Sequence, residues 1–207
     1  MKLNKPKITN CEEKEILEVL QENIFDNYRF INNVENTIVI KNTTFDSCIF
    51  ENIDFTNIEL NNIDLIDVIF DGCDLSNKCF DYKLLSRVVF KNCKMIGVSF
   101  IESSLRDIQF ENCLTSYLNF SYAKINNMII NETSLTESTF LETTIKNIEL
   151  INVKLYHTEF IKTNLNKVDF SNSDINAIIF DNYSLKGIIV DRFQCENLVG
   201  MLGVEVK

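Results

Sequence analysis

Ile63-Asp64-Leu65-Ile66-Asp67-Val68-Ile69-Phe70-Asp71-Gly72-Cys73-Asp74-Leu75 carries a large apolar residue at Leu65, Phe70 and Leu75 and a smaller one two places before each. The same phase extends outward in both directions. From Ile40 to Val190 every residue whose number is a multiple of five is apolar, Thr115 alone excepted. An amphipathic helix repeats at about 3.6 residues and a simple strand at about 2, so neither has this period. Internal repetition on this scale sets the architecture and outranks local propensity.

A second period lies over the first. Phe50, Phe70, Phe80, Phe90, Phe100, Phe110, Phe120, Phe140, Phe160, Phe170 and Phe180 fall on multiples of ten, and Leu65, Leu75, Leu85, Leu105, Leu135, Leu155, Leu165 and Leu185 fall between them. If four five-residue sides close one square coil, each residue stacks on the one twenty later and Phe lines two opposite walls. A narrow tube filled to crystal-like density needs such segregation, because large rings cannot enter from all four sides at once. Positions two before each centre are small or β-branched, among them Cys48, Ile53, Ile58, Val68, Cys73, Val88, Cys93, Ala123, Thr143 and Val153, and read as a second inward residue. Asn, Asp, Glu, Ser and Lys dominate the other positions, as an outer surface requires.

The units Ile53-Asp54-Phe55, Ile63-Asp64-Leu65, Cys73-Asp74-Leu75, Thr163-Asn164-Leu165 and Val168-Asp169-Phe170 resemble the repeat of the pentapeptide-repeat family, Ala-Asp/Asn-Leu-x-x. Ile, Val, Thr and Cys replace Ala in many of them, and the Asp or Asn is often missing. The resemblance implies an all-β solenoid, a right-handed quadrilateral β-helix. We expect residues 1–35 to be an N-terminal lead-in and cap, 36–190 the β-helix, and 191–207 a C-terminal helix and strand serving as cap or dimerisation element.

The chain ends carry helix signals. Thr9 to Glu12 has the form of a capping box, followed by Ile16, Val19, Leu20 and Ile24 on one face, which predicts a short helix over 11–22. At the other end Asp191-Arg192-Phe193-Gln194 has the same form, with Cys195, Leu198, Val199 and Leu202 at helical spacing and Gly203 as the stop. Two irregularities interrupt the coil. Lys78 and Lys83 occupy inward slots, predicting a bulge around 77–85 with their stems snorkelling outward. At Thr115 the neighbouring Leu114 is expected to take the inward place.

Composition narrows the function. A net charge of −10 argues against direct nucleic-acid binding by a basic surface. With no apolar run of membrane-spanning length or secretory pattern, the expectation is a cytoplasmic chain that enters no membrane. Cys73, Cys93 and Cys113 stack in one column, but three thiols in a straight ladder suit buried packing better than a disulfide or tetrahedral zinc. The single His157 faces outward and the five glycines form no phosphate loop, so we expect no catalysis, no cofactor and no metal.

The tail from Val190 to Val206, with Met201-Leu202-Gly203-Val204, is similar to the terminal helix and strand of Qnr-type fluoroquinolone-resistance proteins. That resemblance implies a homodimer paired tail to tail through Phe193, Leu198, Met201, Leu202, Val204 and Val206, with a monomeric end cap as the other reading. It further implies a DNA mimic that binds DNA gyrase or topoisomerase IV and protects it from fluoroquinolones, with Asp169, Asp181 and Asp191 nearest the dimer centre. The alternative is a protein-interaction or structural scaffold with an unrelated partner.

Overall fold

The computed structural model describes residues 1–201 together with Gly203 and Val204. Large inward residues at five-residue intervals force the backbone to turn after each one, and the strands between turns pair in parallel with the coils above and below. The register is n to n + 20: Leu65 opposes Leu85, which opposes Leu105 and then Ile125, while Phe70 continues through Phe90 and Phe110 to Ile130. The result is the expected parallel β-solenoid of about eight coils. We number its walls by the centres they carry: the first by Leu65 and Leu85, the second by Phe70 and Phe90, the third by Leu75 and Met95, the fourth by Phe80 and Phe100.

The corner chemistry follows from the turns. On the third and fourth walls the centre carbonyl accepts an N–H from three residues on, as in Lys78 N to Leu75 O at 3.1 Å and Ala123 N to Phe120 O at 3.1 Å. The residue before each donor, Asn77 or Tyr122, sits at φ 60° or 61°, the geometry of a type II turn. Between the first and second walls the strands Leu84–Lys91, Ser104–Glu111 and Lys124–Asn131 bend through the corner, yet Arg87, Asp107 and Asn127 again have φ between 53° and 67°. The residue two past a centre is thus left-handed at most corners, which explains the wealth of Asn there.

Inside, the two Phe columns form ladders. Phe70–Phe90 and Phe90–Phe110 stack at 5.4 and 5.0 Å, and Phe100–Phe120 and Phe120–Phe140 at 5.1 and 4.7 Å. The ladders meet edge to face, as between Phe100 and Phe110 at 6.5 Å and 82°. Such pairs add about 0.5–1.5 kcal/mol beyond the area they bury. The small inward residues also work as donors. Cys73, Cys93 and Cys113 direct their thiols to the carbonyls of Phe50, Phe70 and Phe90, and Thr143 and Thr163 direct hydroxyls to Phe120 and Phe140 at 2.8 and 2.7 Å. Among the described residues no buried side-chain nitrogen or oxygen lacks a partner.

Parallel pairing in the twenty-residue register includes Ile24–Asp26 against Thr44–Asp46, and Phe25 and Phe30 are fully buried. Three expectations need correction. The N-terminal helix, α1, covers only Ile16–Val19, because Glu12–Glu13 is drawn into parallel pairing with Tyr28–Arg29. Its Ile16 and Val19 cover the open first coil, and the Glu18 carboxylate accepts the Glu15 N–H. No bulge forms at 77–85: the register holds at Cys79–Ser99 and Leu65–Leu85, and the Lys78 ammonium reaches the Ile58 carbonyl at 2.9 Å. Thr115 stays inside with Leu114 exposed, since its pairing with Leu135 fixes the face and a one-residue slip would invert every neighbour. The Thr115 hydroxyl is satisfied by the Ser134 carbonyl.

The segment ahead of α1 and the one after the last coil both fasten to the rod. The residues ahead of α1 run as an extended arm along the corner between the first and second walls. Lys7 N donates to Asp67 at 2.8 Å and the Asn4 amide to Asp107 at 2.9 Å, while the terminal ammonium meets Glu149 at 2.5 Å. At the far end the second helix, α2, spans Cys195–Met201 behind the expected capping box. Asp191 accepts the N–H of Gln194 at 3.1 Å and Gln194 accepts that of Asp191 at 3.0 Å. The Gln194 amide also donates to the carbonyls of Phe170 and Ser173.

Candidate functional site

The acids singled out in the sequence do not fall in one column. Asp169 and Asp191 flank centres of the second wall, whereas Asp181 follows Phe180 on the fourth, the opposite side of the coil. Each is engaged by backbone. Asp169 accepts from Ser171 N at 2.9 Å, and the Ser171 side chain, with this N–H second, holds its carboxyl below the usual range. For Asp181 partial burial works the other way, but the Ser184 side chain and the amides of Ser184 at 2.8 Å and Lys162 at 3.1 Å lower its pKa on balance. Asp191 forms a reciprocal pair with Gln194 just ahead of α2, and its carboxylate also accepts the Phe193 N–H at 2.6 Å.

Of the tail residues, Phe193 is 72% exposed beneath the Arg192 guanidinium at 4.5 Å, and Met201 and Val204 are exposed as well. Leu198 instead packs into the core of its own chain. Leu202 and Val206 lie outside the described residues.

The fourth wall carries a surface that the five-residue period does not mark. Its corner with the first wall reads Tyr82, Glu102, Tyr122, Glu142, Lys162, and its corner with the third reads Tyr117, Glu137, His157. All eight are exposed and left-handed, with φ from 50° to 61°. Tyr156 stacks on His157 at 4.1 Å between centroids. The carboxylate of Glu102, hydrogen-bonded to Tyr82, raises the phenol's pKa, and Glu137 does the same to Tyr117. Glu142 holds Lys162 at 2.9 Å. Between these rails lies a flat floor of Ser99, Asn119 and Thr139 beside half-buried Ile101, Leu141 and Ile161. A shallow hollow of about 290 Å³ opens along one rail at Glu137, His157 and Glu159. The signal for this surface was present in the sequence: a left-handed slot that Asn or Gly would fill at least strain holds Tyr or Glu instead.

The remaining chemistry is inert or structural. Burial pushes the Cys48 thiol up to about 12, and hydrogen bonding to Cys93 together with burial raises Cys113, so these inward thiols stay protonated. Among the described residues no group of three or more His, Cys, Asp or Glu is placed to hold a metal ion, and no helix is long and apolar enough to cross a membrane. Many acids are paired coil to coil with a base one turn up: Asp67 with Arg87 at 2.5 Å, Asp74 with Lys94 at 2.8 Å, Glu142 with Lys162 at 2.9 Å.

Five-residue sides closing in fours at a constant twenty-residue register define a pentapeptide-repeat solenoid. Family models agree over much of it: residues 63–140 match the pentapeptide repeat region, and residues 41–81 match pentapeptide repeats (8 copies). Among solved structures, full-length QnrB1, a plasmid-mediated fluoroquinolone resistance protein, is 19% identical over 87% of this chain and 90% of its own, with a TM-score of 0.43. HetL, a pentapeptide repeat protein involved in heterocyst differentiation regulation from the cyanobacterium Nostoc sp. strain PCC 7120, is 16% identical over 81% of this chain and 89% of its own, at 0.34. Rfr23 from the cyanobacterium Cyanothece 51142 is 16% identical over 59% of this chain and 91% of its own, at 0.44. No curated protein matches the chain. None of these likenesses bears on function, which has to be argued from the surface.

Proposed function

We propose that this chain acts by binding and not by catalysis, as a rigid acidic rod in the cytoplasm whose partner is a type II topoisomerase, DNA gyrase or topoisomerase IV. The observation that carries the proposal is the charge of −10 on a rod whose repeating inward Phe and Leu columns are consumed by its interior. What remains for function is an outer surface of carboxylates at the spacing of stacked strands, about 4.8 Å per coil. DNA presents one charge per roughly 1.7 Å, so two rods joined end to end would offer the topoisomerase a weaker copy of its own substrate. In that dimer the exposed Phe193, Met201 and Val204 form the junction. The role of Leu198 there is to seat α2 on the last coil. Asp169, Asp181 and Asp191 then stand nearest the junction, and the resemblance of the tail to Qnr-type proteins supports this arrangement.

The coil-to-coil ion pairs favour a second reading. Each lysine or arginine placed one turn above an acid interrupts a negative stripe, which suits a protein-interaction scaffold better than a copy of DNA. One assay separates the two. Purified protein at micromolar concentration is added to gyrase supercoiling and to quinolone-stabilised cleavage. Changes in both that weaken with salt support the topoisomerase reading. No change in either leaves the scaffold.

A further inference from the structure

We propose that the fourth wall is a docking surface for an arginine-bearing element of a partner protein. It rests on the reading of the chain as a binding rod, and not on the identity of the topoisomerase. Tyr82, Tyr117, Tyr122 and Tyr156 are 68%, 55%, 47% and 50% exposed, so four of the six tyrosines of the chain border one wall and put their rings in water. Exposed aromatic residues gathered around half-buried Ile101, Leu141 and Ile161 form the kind of patch that other proteins cover with a partner. The N-terminal arm cannot be the occupant, because it lies on the corner between the first and second walls.

Charge selects the occupant. Glu102, Glu137, Glu142 and Glu159 stand among the tyrosines, and of the exposed lysines and arginines among the described residues only Lys162 enters the rails, already held by Glu142. A cation is therefore the complement. A flat guanidinium can lie on a phenol ring while its N–H groups reach a neighbouring carboxylate, a combination that an ammonium provides less well. Tyr and Glu alternate along one rail at successive coils, which repeats that paired site at the inter-coil spacing. The partner element is accordingly an extended or helical segment carrying several arginines. The corner geometry points the same way: the fold would accept Asn at these left-handed positions, and does so elsewhere.

The test uses the full-length protein and two labelled probes, nona-arginine and nona-lysine, followed by fluorescence anisotropy at about 0.15 M salt. Nona-arginine should bind about tenfold tighter than nona-lysine, because only the guanidinium exploits both rings and carboxylates. Replacing Tyr82, Tyr117 and Tyr122 together by Asn should abolish that preference, while Glu132→Asn on the opposite corner should leave it intact. Asn is the residue those turns favour, so the triple variant should melt no lower than the parent. Equal affinity for both probes overturns the proposal, as does a preference that survives the triple substitution. Gyrase assays on the same proteins distinguish this proposal from the function proposed above. Supercoiling changed equally by the parent and the triple variant, together with probe binding that shows no preference for arginine, would overturn the arginine surface and keep the topoisomerase. Tyrosine-dependent probe binding with no effect on gyrase would do the reverse.

Discussion

Two corners of the same coil face the same backbone problem and solve it differently. Between the second and third walls the left-handed positions are Asn52, Gly72, Asn92, Asn112, Glu132 and Asn152, and Asn112 donates its amide to Asn92 at 2.8 Å. Diagonally across, between the fourth and first walls, Asn42 and Asn62 start the same ladder at 2.8 Å before Tyr82, Glu102, Tyr122, Glu142 and Lys162 take over. A left-handed conformation costs an ordinary L-residue roughly 1 kcal/mol, and Asn or Gly much less. The first corner is built for the fold. The second gives up backbone comfort to display rings and charge, which is how a binding surface on an otherwise regular scaffold should look.

Both corners depend on one interior, and the largest predicted effect removes that shared support. Phe100 lies between Phe80 and Phe120 at 5.6 and 5.1 Å and is fully buried. Phe100→Ala should destabilise the protein by about 3–5 kcal/mol, read from chemical denaturation, because a closed tube cannot collapse onto the cavity. A loss below about 1 kcal/mol would mean that the ladder is filled by rearrangement.

The Asn corner can be broken on its own. Gly72 has φ +68°, and a Cβ there would approach the Asn52 amide oxygen to 2.3 Å. Gly72→Ala should therefore cost about 1–3 kcal/mol, combining left-handed strain with the displaced Asn52 side chain. The aromatic corner should respond with the opposite sign. Glu102→Asn and Tyr122→Asn should each stabilise by about 0.5–1 kcal/mol, offset in part by the Tyr82–Glu102 contact that the first removes. Lower melting temperatures in both would show that these side chains support the coil and would erase the contrast between corners.

Most of the coil was legible because a five-residue period leaves little freedom: once Leu65, Phe70 and Leu75 face inward, the twenty-residue register follows, and with it the two Phe ladders. Even the off-pattern Thr115 was placed by its neighbours and not by its own polarity. The chain ends were less legible. Local signals promised a helix over 11–22, but pairing of Glu12–Glu13 with Tyr28–Arg29 won over propensity. The capping box at Asp191 formed as expected, because nothing competes with it there. The aromatic wall was harder still, since outward residues carry no period of their own and become a surface only when the coil assigns each to a corner. The arm along the first corner left no trace in the pattern, because its partners Asp67 and Asp107 are separated by two coils.

That arm supplies the smallest effect and a third kind of corner, one that is covered. Asp67 and Asp107 are nearly buried under it. For Asp67 burial works against ionisation, but the Arg87 guanidinium and the Lys7 amide lower its pKa on balance; for Asp107 the amides of Asn4 and Asn127 outweigh burial in the same way. A carboxyl whose pKa is depressed by folding lends stability that is complete above its unfolded value, about 3.9, and disappears as the pH falls through the folded value. Backbone amides near Lys7 should thus stay protected from hydrogen exchange between neutral pH and about pH 4 and lose protection below it, once intrinsic exchange rates are corrected for. Asp67→Asn should loosen the arm at neutral pH, while Tyr122→Asn, on another corner, should leave its protection unchanged. If the arm exchanges freely at every pH, the covered corner is an open one, and the acids beneath it join the surface available to a partner.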